Sequence, residues 1–373
     1  MIRLWIIGLR PRTLPASIAP VAVGAAVAFT ELYRNPPTCP LVHPQPPSCA
    51  VDQARFDLLT GRFWPVALLC AGVALFLQVA VNFANDYSDG IRGADASRAD
   101  DESVTGMPRR LTASGLASPR AVLAAAGVSA VAACLCGLAA IAVSGQWPLL
   151  LIGVAALPAG WYYTGGRHPY GYAGFGEAAV FVFFGLAAVL GTEAALIGRV
   201  TLSGVLGAVI SGFFACAMLM VNNLRDVAED RVHGKRTLAV RLGERRARGL
   251  LLAVYGVAAM PAAVLALTPL AVETWRWAMP ECGPVQSVPP CSGGGAPCST
   301  EPVTSVACAA SVAPSLAAIL LALGGLALAA VGVIFIRAVL GRRHGRALAL
   351  SGVSALLFAV IAVCAAWLAV SGR

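Results

Sequence analysis

VNNLRDVAEDRVHGKRTLAVRL, Val221 to Leu242, closes a long apolar run and spaces Asn222, Asn223, Asp226 and Asp230 so that they share one helical face. Polar groups therefore emerge together where a hydrophobic helix ends. A second stretch, VNFANDYSDGIRGAD from Val81 to Asp95, repeats the device with Asn82, Asn85, Asp86 and Asp89 at i, i+3, i+4 and i+7. Setting Val81 on Val221 aligns Asn82 with Asn222 and Asp86 with Asp226, so the chain reads as two related halves. Seven of its nine Asp residues lie in these two segments and the loops that trail them.

The surrounding composition is that of a polytopic, all-α membrane protein. Of 373 residues, 58% are hydrophobic and 12% charged, with a mean hydropathy of +0.77, against about 25% charged in soluble domains. The net charge of +9 does not signal nucleic acid, because the cations form no single basic face and follow the loops instead. Only one of the 27 cations is a lysine, Lys235.

Nine apolar runs are expected to span the bilayer as one membrane-embedded domain over 1–373. They are Ala16–Leu32, Phe63–Val81, Val122–Val143, Trp147–Tyr163, Phe175–Ile197, Leu202–Val221, Leu250–Val272, Ala313–Ile336 and Leu348–Val370. Each approaches the roughly 20 residues a helix needs to cross, and Trp147–Tyr163 is the shortest. Arg3, Arg10 and Arg12 before the first run resemble the basic start of a secretory signal. Pro11, Pro15 and Pro20, however, suit a first membrane span, where neighbouring helices satisfy the freed carbonyls. Starting inside, 21 cations fall on the cytoplasmic side and 6 outside. The positive-inside rule then places the N-terminus and both Asp segments in the cytoplasm and the C-terminus outside. The outer loops 33–62 and 273–312 carry Cys39, Cys49, Cys282, Cys291, Cys298 and Cys308. On the oxidising side these imply disulfides, most economically Cys39–Cys49 and two bridges among the other four. Zinc fits less well, since no CxxC pair is present. Cys70, Cys134, Cys136, Cys216 and Cys364, inside the spans, read as packing residues.

Two carboxylate clusters facing one cavity supply hard oxygen ligands for Mg2+ with a diphosphate, whereas a single cluster would equally suit helix caps and Arg pairs. Arg92, Arg109 and Arg110 follow the first cluster, and Arg225, Lys235 and Arg236 surround the second. These can hold anionic oxygens that the metal leaves free. Lys235 stands out because Gly234 beside it permits a turn in which backbone and ammonium both approach a phosphate. Between two spans, WYYTGGRHPYGYAGFGE (Trp161 to Glu177) offers aromatic faces and Arg167 to a flat anionic ring. Equally, it suits an interfacial aromatic belt.

RPRTLPAS (Arg10–Ser17), NDYSDGIRGAD (Asn85–Asp95), RRLTASG (Arg109–Gly115), YTGG with PYGYAGFGE (Tyr163–Glu177), and VNNLRD with GKRTLAVRLG (Val221–Gly243) resemble the UbiA superfamily of intramembrane aromatic prenyltransferases. YTGG, GFGE and GKRTLAVRLG narrow the likeness to the branch acting on 1,4-dihydroxy-2-naphthoate in menaquinone biosynthesis. The resemblance implies a nine-helix bundle in which Asp86, Asp89, Asp226 and Asp230, with Asn82, Asn85, Asn222 and Asn223, hold Mg2+ and the diphosphate. Lys235, Arg225 and Arg110 would neutralise the leaving group, and Tyr87, Tyr162 and Tyr163 would shield the allylic cation. Arg92, Asp95, Arg167 and Glu177 would complete the substrate site. Gly93 stands where a third Asp is often found in the first motif, and Asp95 comes two residues later. The implied reaction joins a polyprenyl group from polyprenyl diphosphate to the naphthoate with loss of CO2, giving demethylmenaquinone in the lipid bilayer. Another aromatic acceptor such as 4-hydroxybenzoate is the alternative. An ion-coupled transporter would instead carry its acids near the bilayer midplane.

Overall fold

The computed structural model describes residues 2–34, 47–94, 110–278, 282–284, 306–308 and 316–371. Among them the regular structure is helical, apart from one short ribbon. A short helix α1 (Ile2–Leu9) leads through a 3-10 turn (Pro11–Thr13) into α2 (Pro15–Arg34). Then follow α3 (Pro47–Ile91), α4 (Pro119–Ser144), α5 (Leu149–Thr164), α6 (Gly176–Ile197) and α7 (Leu202–Arg225). Two short helices, α8 (Val227–Val232) and α9 (Leu238–Leu242), precede α10 (Glu244–Ala278), α11 (Leu316–Leu340) and α12 (His344–Ser371). The nine expected spans resolve as eight helices long and apolar enough to cross a membrane, plus α5. At 16 residues α5 rises only about 24 Å, short of the roughly 30 Å of a hydrocarbon core. The chain is thus a multi-pass membrane protein whose span count of nine is not reached by length alone.

Local chemistry sets the helix ends. Ser118 caps α4 by accepting the Ala121 N–H at 3.3 Å, with Pro119 at the first helical position, and Gly145 ends the helix at φ 71°. Thr201 caps α7 through the Gly204 N–H at 3.1 Å. One boundary differs from the sequence expectation: α3 starts at Pro47, so residues 47–62 are helix rather than outer loop. Gln53 Nε2 donates to Asp57 Oδ1 at 2.9 Å one turn on, and Phe56 packs edge-on to Tyr33 of α2, which together carry the helix beyond the apolar run. Likewise α10 continues to Ala278, and β1 (Cys282–Pro284) pairs antiparallel with β2 (Val306–Cys308) inside the second expected loop.

The most buried of the eight long helices is α7. Its Phe214, Ala217, Met218, Val221 and Leu224 form the main core with Leu251 and Tyr255 of α10, Leu328 and Phe335 of α11, and Phe358 of α12. Tyr255 stacks on Phe335 at 4.0 Å and shares a 2.8 Å hydrogen bond with Ser354, so its polar tip is satisfied inside the bundle. A second cluster, with Leu32, Phe63, Val66 and Leu196, lies at the end of the bundle where Arg199 pairs with Glu31 at 3.0 Å. A third, with Val79, Phe83, Leu111 and Val122, packs beneath α1 at the opposite end. Val128, Val131, Leu135 and Leu138 of α4 are exposed at helical spacing, as a lipid-facing stripe requires.

Cys49 is disulfide-bonded, and Cys282 and Cys308 stand opposite each other in the ribbon register. Cys39, Cys291 and Cys298 lie outside the described residues. Cys70, Cys134, Cys136, Cys216 and Cys364 are free, as packing residues should be.

Small residues let α6 and α7 cross closely. A Cβ on Gly185 would lie 2.6 Å from the Gly212 Cα, a backbone atom that cannot yield. The crossing coincides with a π-helical turn, Phe181–Ala187, in α6. Gly185→Ala should therefore lower the thermal midpoint of the detergent-purified protein, at a cost of about 1–3 kcal/mol. Gly127→Ala on α4, where nothing lies within 4 Å, should not. Equal midpoints for the two variants would show that the crossing tolerates the methyl group.

Candidate active site

At the end of the bundle where α3, α5 and α7 finish and α2 begins, a cavity of about 580 Å³ opens between the two Asp segments. Asn82, Asn85 and Asp89 line it from α3, and Asn222, Asn223, Arg225 and Asp226 from the end of α7. Asp230, Lys235 and Thr237 complete the wall around α8 and α9. Deeper in, the lining is apolar, with Leu77, Val81, Phe183, Phe184, Ala215 and Leu219.

Lys235 joins the two motifs. Its Nζ lies 3.1 Å from Asp89 Oδ2 and 4.0 Å from Asp230 Oδ1, and it sits over the Tyr172 ring at 4.8 Å. The turn that delivers it is local. Gly234 at φ 72° ends α8, and the Lys235 N–H returns to the Asp230 carbonyl at 2.8 Å. Tyr172 is brought in from the loop after α5, because its carbonyl accepts the Arg236 N–H at 2.8 Å. Its hydroxyl then donates to Asp89 Oδ1 at 2.6 Å. Burial, and after it the Asp89 charge, push the Tyr172 phenol well above its ordinary pKa, so it remains a donor. Burial likewise raises Tyr170 to about 12, and its hydroxyl donates to the Ala159 carbonyl at 2.7 Å.

The other acids differ in role. Asp226 accepts both Arg225 Nε and Nη2, at 2.6 and 2.9 Å, and both residues line the cavity. Asp86, aligned with it in sequence, is not on the wall. It is 1% exposed, and its two oxygens accept the backbone N–H groups of Leu111 at 3.0 Å and Thr112 at 2.9 Å. Asp86 thus anchors the turn that carries Arg110 to the cavity, and the structure does not bring it to the wall beside Asp89 as expected. The pseudo-repeat diverges because α3 runs on to Ile91 in one piece, whereas the second half breaks at Asp226 and restarts as α8.

The remaining expectations divide. Tyr163 lines the cavity edge-on to Tyr170. Asn82 spends its side chain on structure, donating to the Leu9 carbonyl at 2.9 Å and accepting from Gln78 at 2.9 Å, and Asn85 accepts from Thr164 at 2.7 Å. Five residues expected at the substrate lie off the wall. Arg92 is clamped to the Thr164 and Gly166 carbonyls. Arg167 is exposed, and Tyr87 packs on the cluster beneath α1. Glu177 stands behind the wall and accepts from Asn223 at 2.8 Å. Tyr162 is exposed as well, and Asp95 and Arg109 lie outside the described residues. Tyr172 and Thr237 are members that spacing alone did not single out, although PYGYAGFGE and GKRT contain them.

The donor set suits a hard cation. Among the described residues no three His, Cys, Asp or Glu side chains form a ready-made metal cage. Asp89, Asp226 and Asp230 nonetheless face one cavity with amide oxygens beside them. Mg2+ characteristically takes one or two carboxylates and fills the rest of its shell with water and substrate phosphate.

An α-helical membrane bundle with two acid motifs at one cavity defines an intramembrane enzyme class, and the comparisons specify it. The UbiA prenyltransferase family matches residues 57–280, and the chain belongs to this family. It is 44% identical over 256 residues to the 1,4-dihydroxy-2-naphthoate octaprenyltransferase of Mycobacterium tuberculosis, covering 68% of this chain and 75% of that protein. The protein of the same name from Escherichia coli is 33% identical over 304 residues, covering 76% and 88%. A UbiA homolog from Archaeoglobus fulgidus, solved bound to GPP and Mg2+, shares the fold with a TM-score of 0.52 over 99% of each chain at 13% identity.

Asp86→Ala strands the buried Leu111 N–H, at about 1–3 kcal/mol, and the half-buried Thr112 N–H with it. It should lower the thermal midpoint markedly, while Asp226→Ala should leave the midpoint near that of the wild type and cut prenyl transfer about tenfold or more at saturating Mg2+. Unchanged stability in Asp86→Ala would return Asp86 to the role of ligand.

Proposed function

We propose that this chain transfers a polyprenyl group from polyprenyl diphosphate to 1,4-dihydroxy-2-naphthoate, releasing diphosphate and CO2 and forming demethylmenaquinol, the reduced form of demethylmenaquinone. The observation that carries the reading is the Asp89–Lys235–Asp230 contact at the polar mouth of an otherwise apolar cavity. Relatives that bear the naphthoate name at 33% to 44% identity support the acceptor.

Asp89, Asp226 and Asp230 would hold Mg2+, with Asn222 beside them. When bound, Mg2+ supplies Lewis-acid stabilisation of the charge that builds on the departing diphosphate. Lys235 and Arg225 add fixed positive charge that needs no reorganisation as the C–O bond breaks. The Tyr172 hydroxyl holds Asp89 in place. Deeper in, Tyr163, Phe183 and Phe184 line the space where the allylic cation would form. Their ring faces stabilise positive charge and exclude water until the ring carbon attacks. The apolar depth suits the start of a polyprenyl tail, whose remainder would pass between helices into lipid.

The 21-to-6 division of cations supports a cytoplasmic N-terminus and active site, with the Cys-bearing segments and the C-terminus outside. On this reading Cys49 and the ribbon lie across the membrane from the chemistry, and reduction should leave transfer largely intact.

Membranes holding the protein, incubated with dihydroxynaphthoate, a polyprenyl diphosphate and Mg2+, should yield demethylmenaquinol, read by lipid mass spectrometry as demethylmenaquinone after oxidation in air, and chelation should abolish it. Prenylated 4-hydroxybenzoate as the sole product in parallel incubations would replace the acceptor. No prenylated product from either acid would overturn the reading.

A further inference from the structure

Arg10 is a cation of the cavity wall that neither acid motif uses. It stands between α1 and the turn Pro11–Thr13, and it lines the cavity beside Thr13, Asn82 and Arg110. Its Nε and Nη2 are buried and make no hydrogen bond. Lys235 pairs with Asp89 and Arg225 with Asp226, and Arg110 is engaged although its Nε too makes no hydrogen bond. Buried guanidinium N–H groups are costly without acceptors, so a side chain of the cavity wall that leaves two of them unmet suits an anion bound beside it.

The backbone is built for this placement. Arg10 adopts φ 50°, ψ 66°, a left-handed conformation unfavourable to a side-chain-bearing residue, and it does so ahead of a proline, where extended backbone is the norm. The flanking bonds enforce it. The Arg10 carbonyl accepts from both the Thr13 N–H and the Thr13 hydroxyl at 2.9 Å. Asn82, 3% exposed, donates to the Leu9 carbonyl at 2.9 Å and to Thr13 Oγ1 at 3.2 Å. A buried motif residue is thereby spent on gripping both sides of Arg10, and strain held by so many contacts is the mark of a functional position.

Position selects the ligand. Asn82 is seven residues from Asp89 on one continuous helix, or about 10 Å along the axis. Arg10 therefore meets the cavity at a level set apart from the Asp89–Lys235–Asp230 mouth, with Ala16, Met218 and Leu348 among the apolar lining residues.

We propose that Arg10 receives the carboxylate of the aromatic acceptor, its planar fork matching the two oxygens while the ring lies between it and the diphosphate end. The assignment rests on the functional reading above, in which the acceptor is an aromatic acid. Arg10 would set acceptor specificity and orientation, leaving diphosphate binding to the two motifs.

Steady-state kinetics on the full-length protein in lipid nanodiscs test this, with wild type, Arg10→Gln and Arg10→Lys. Arg10→Gln should raise the KM for dihydroxynaphthoate roughly tenfold to a hundredfold, the scale of a lost charge-assisted contact. The KM for polyprenyl diphosphate should not move. The inhibition constant of 1,4-dihydroxynaphthalene, the same ring without the carboxylate, should not move either. Arg10→Lys, which keeps the charge and loses the fork, should fall between, and it decides the matter if Arg10→Gln does not fold. A raised polyprenyl diphosphate KM with an unchanged acceptor KM would assign Arg10 to the diphosphate. Equal weakening of the acid and the carboxylate-free ring would make it a structural residue, and either result overturns the proposal. If the wild type prenylates 4-hydroxybenzoate and not the naphthoate, the functional reading fails separately. The same comparison, with 4-hydroxybenzoate against phenol, then tests Arg10 by itself.

Discussion

The charge contact on which the site depends is that of Lys235, from the second half of the chain, with Asp89, from the first, while Asp230 stands behind it. Three ionised groups partly withdrawn from water are costly unless paired, and here the pairing also fixes where the two halves meet. The connections around it serve this meeting. Gly234 turns the chain back after α8, the Arg236 N–H draws in the Tyr172 carbonyl, and the Tyr172 hydroxyl orients Asp89. A ligand with several anionic oxygens would find cation, carboxylates and hydroxyl already placed, so little ordering remains to be done on binding.

The same arrangement separates a wet end from a dry one. Carboxylates, amides and cations collect at the mouth, and aliphatic and aromatic side chains line the depth. A diphosphate carrying a polyprenyl chain has this polarity along its own length. The fold supplies it because α3, from Phe63 onward, and α7 stay largely apolar until their last turns and then present Asn and Asp. The helices around them pack closely through small residues, as at Gly185 and Gly212.

Much of this was legible in sequence. Helical spacing gathered Asn82, Asn85 and Asp89 on one wall and Asn222, Asn223 and Asp226 on the other, and Lys235 stood out as the only lysine. Spacing could not tell which acids face the cavity. Asp86 shares the α3 segment with Asp89, yet the turn at Leu111 and Thr112 captures it, a contact 25 residues away that no periodicity announces. For the same reason Arg92, counted among phosphate ligands by proximity, proved to clamp the carbonyls of Thr164 and Gly166. The start of α3 was missed because residues 51–62 are polar enough to read as loop, while Gln53–Asp57 and the Tyr33–Phe56 contact keep them helical. Arg10 was visible only as a charge before the first span, since its left-handed backbone and unpartnered nitrogens belong to the folded state.

If the meeting of Asp89 and Lys235 is what assembles the diphosphate site, the two residues must act as one unit. A double-mutant cycle of Asp89→Asn, Lys235→Ala and the combined variant, read as kcat/KM for polyprenyl diphosphate at saturating acceptor and Mg2+, measures this directly. The double variant should lose less than the sum of the single losses, with a coupling of about 0.5–3 kcal/mol. Strictly additive losses would contradict the account, because they would mean that each residue serves the substrate independently of the other.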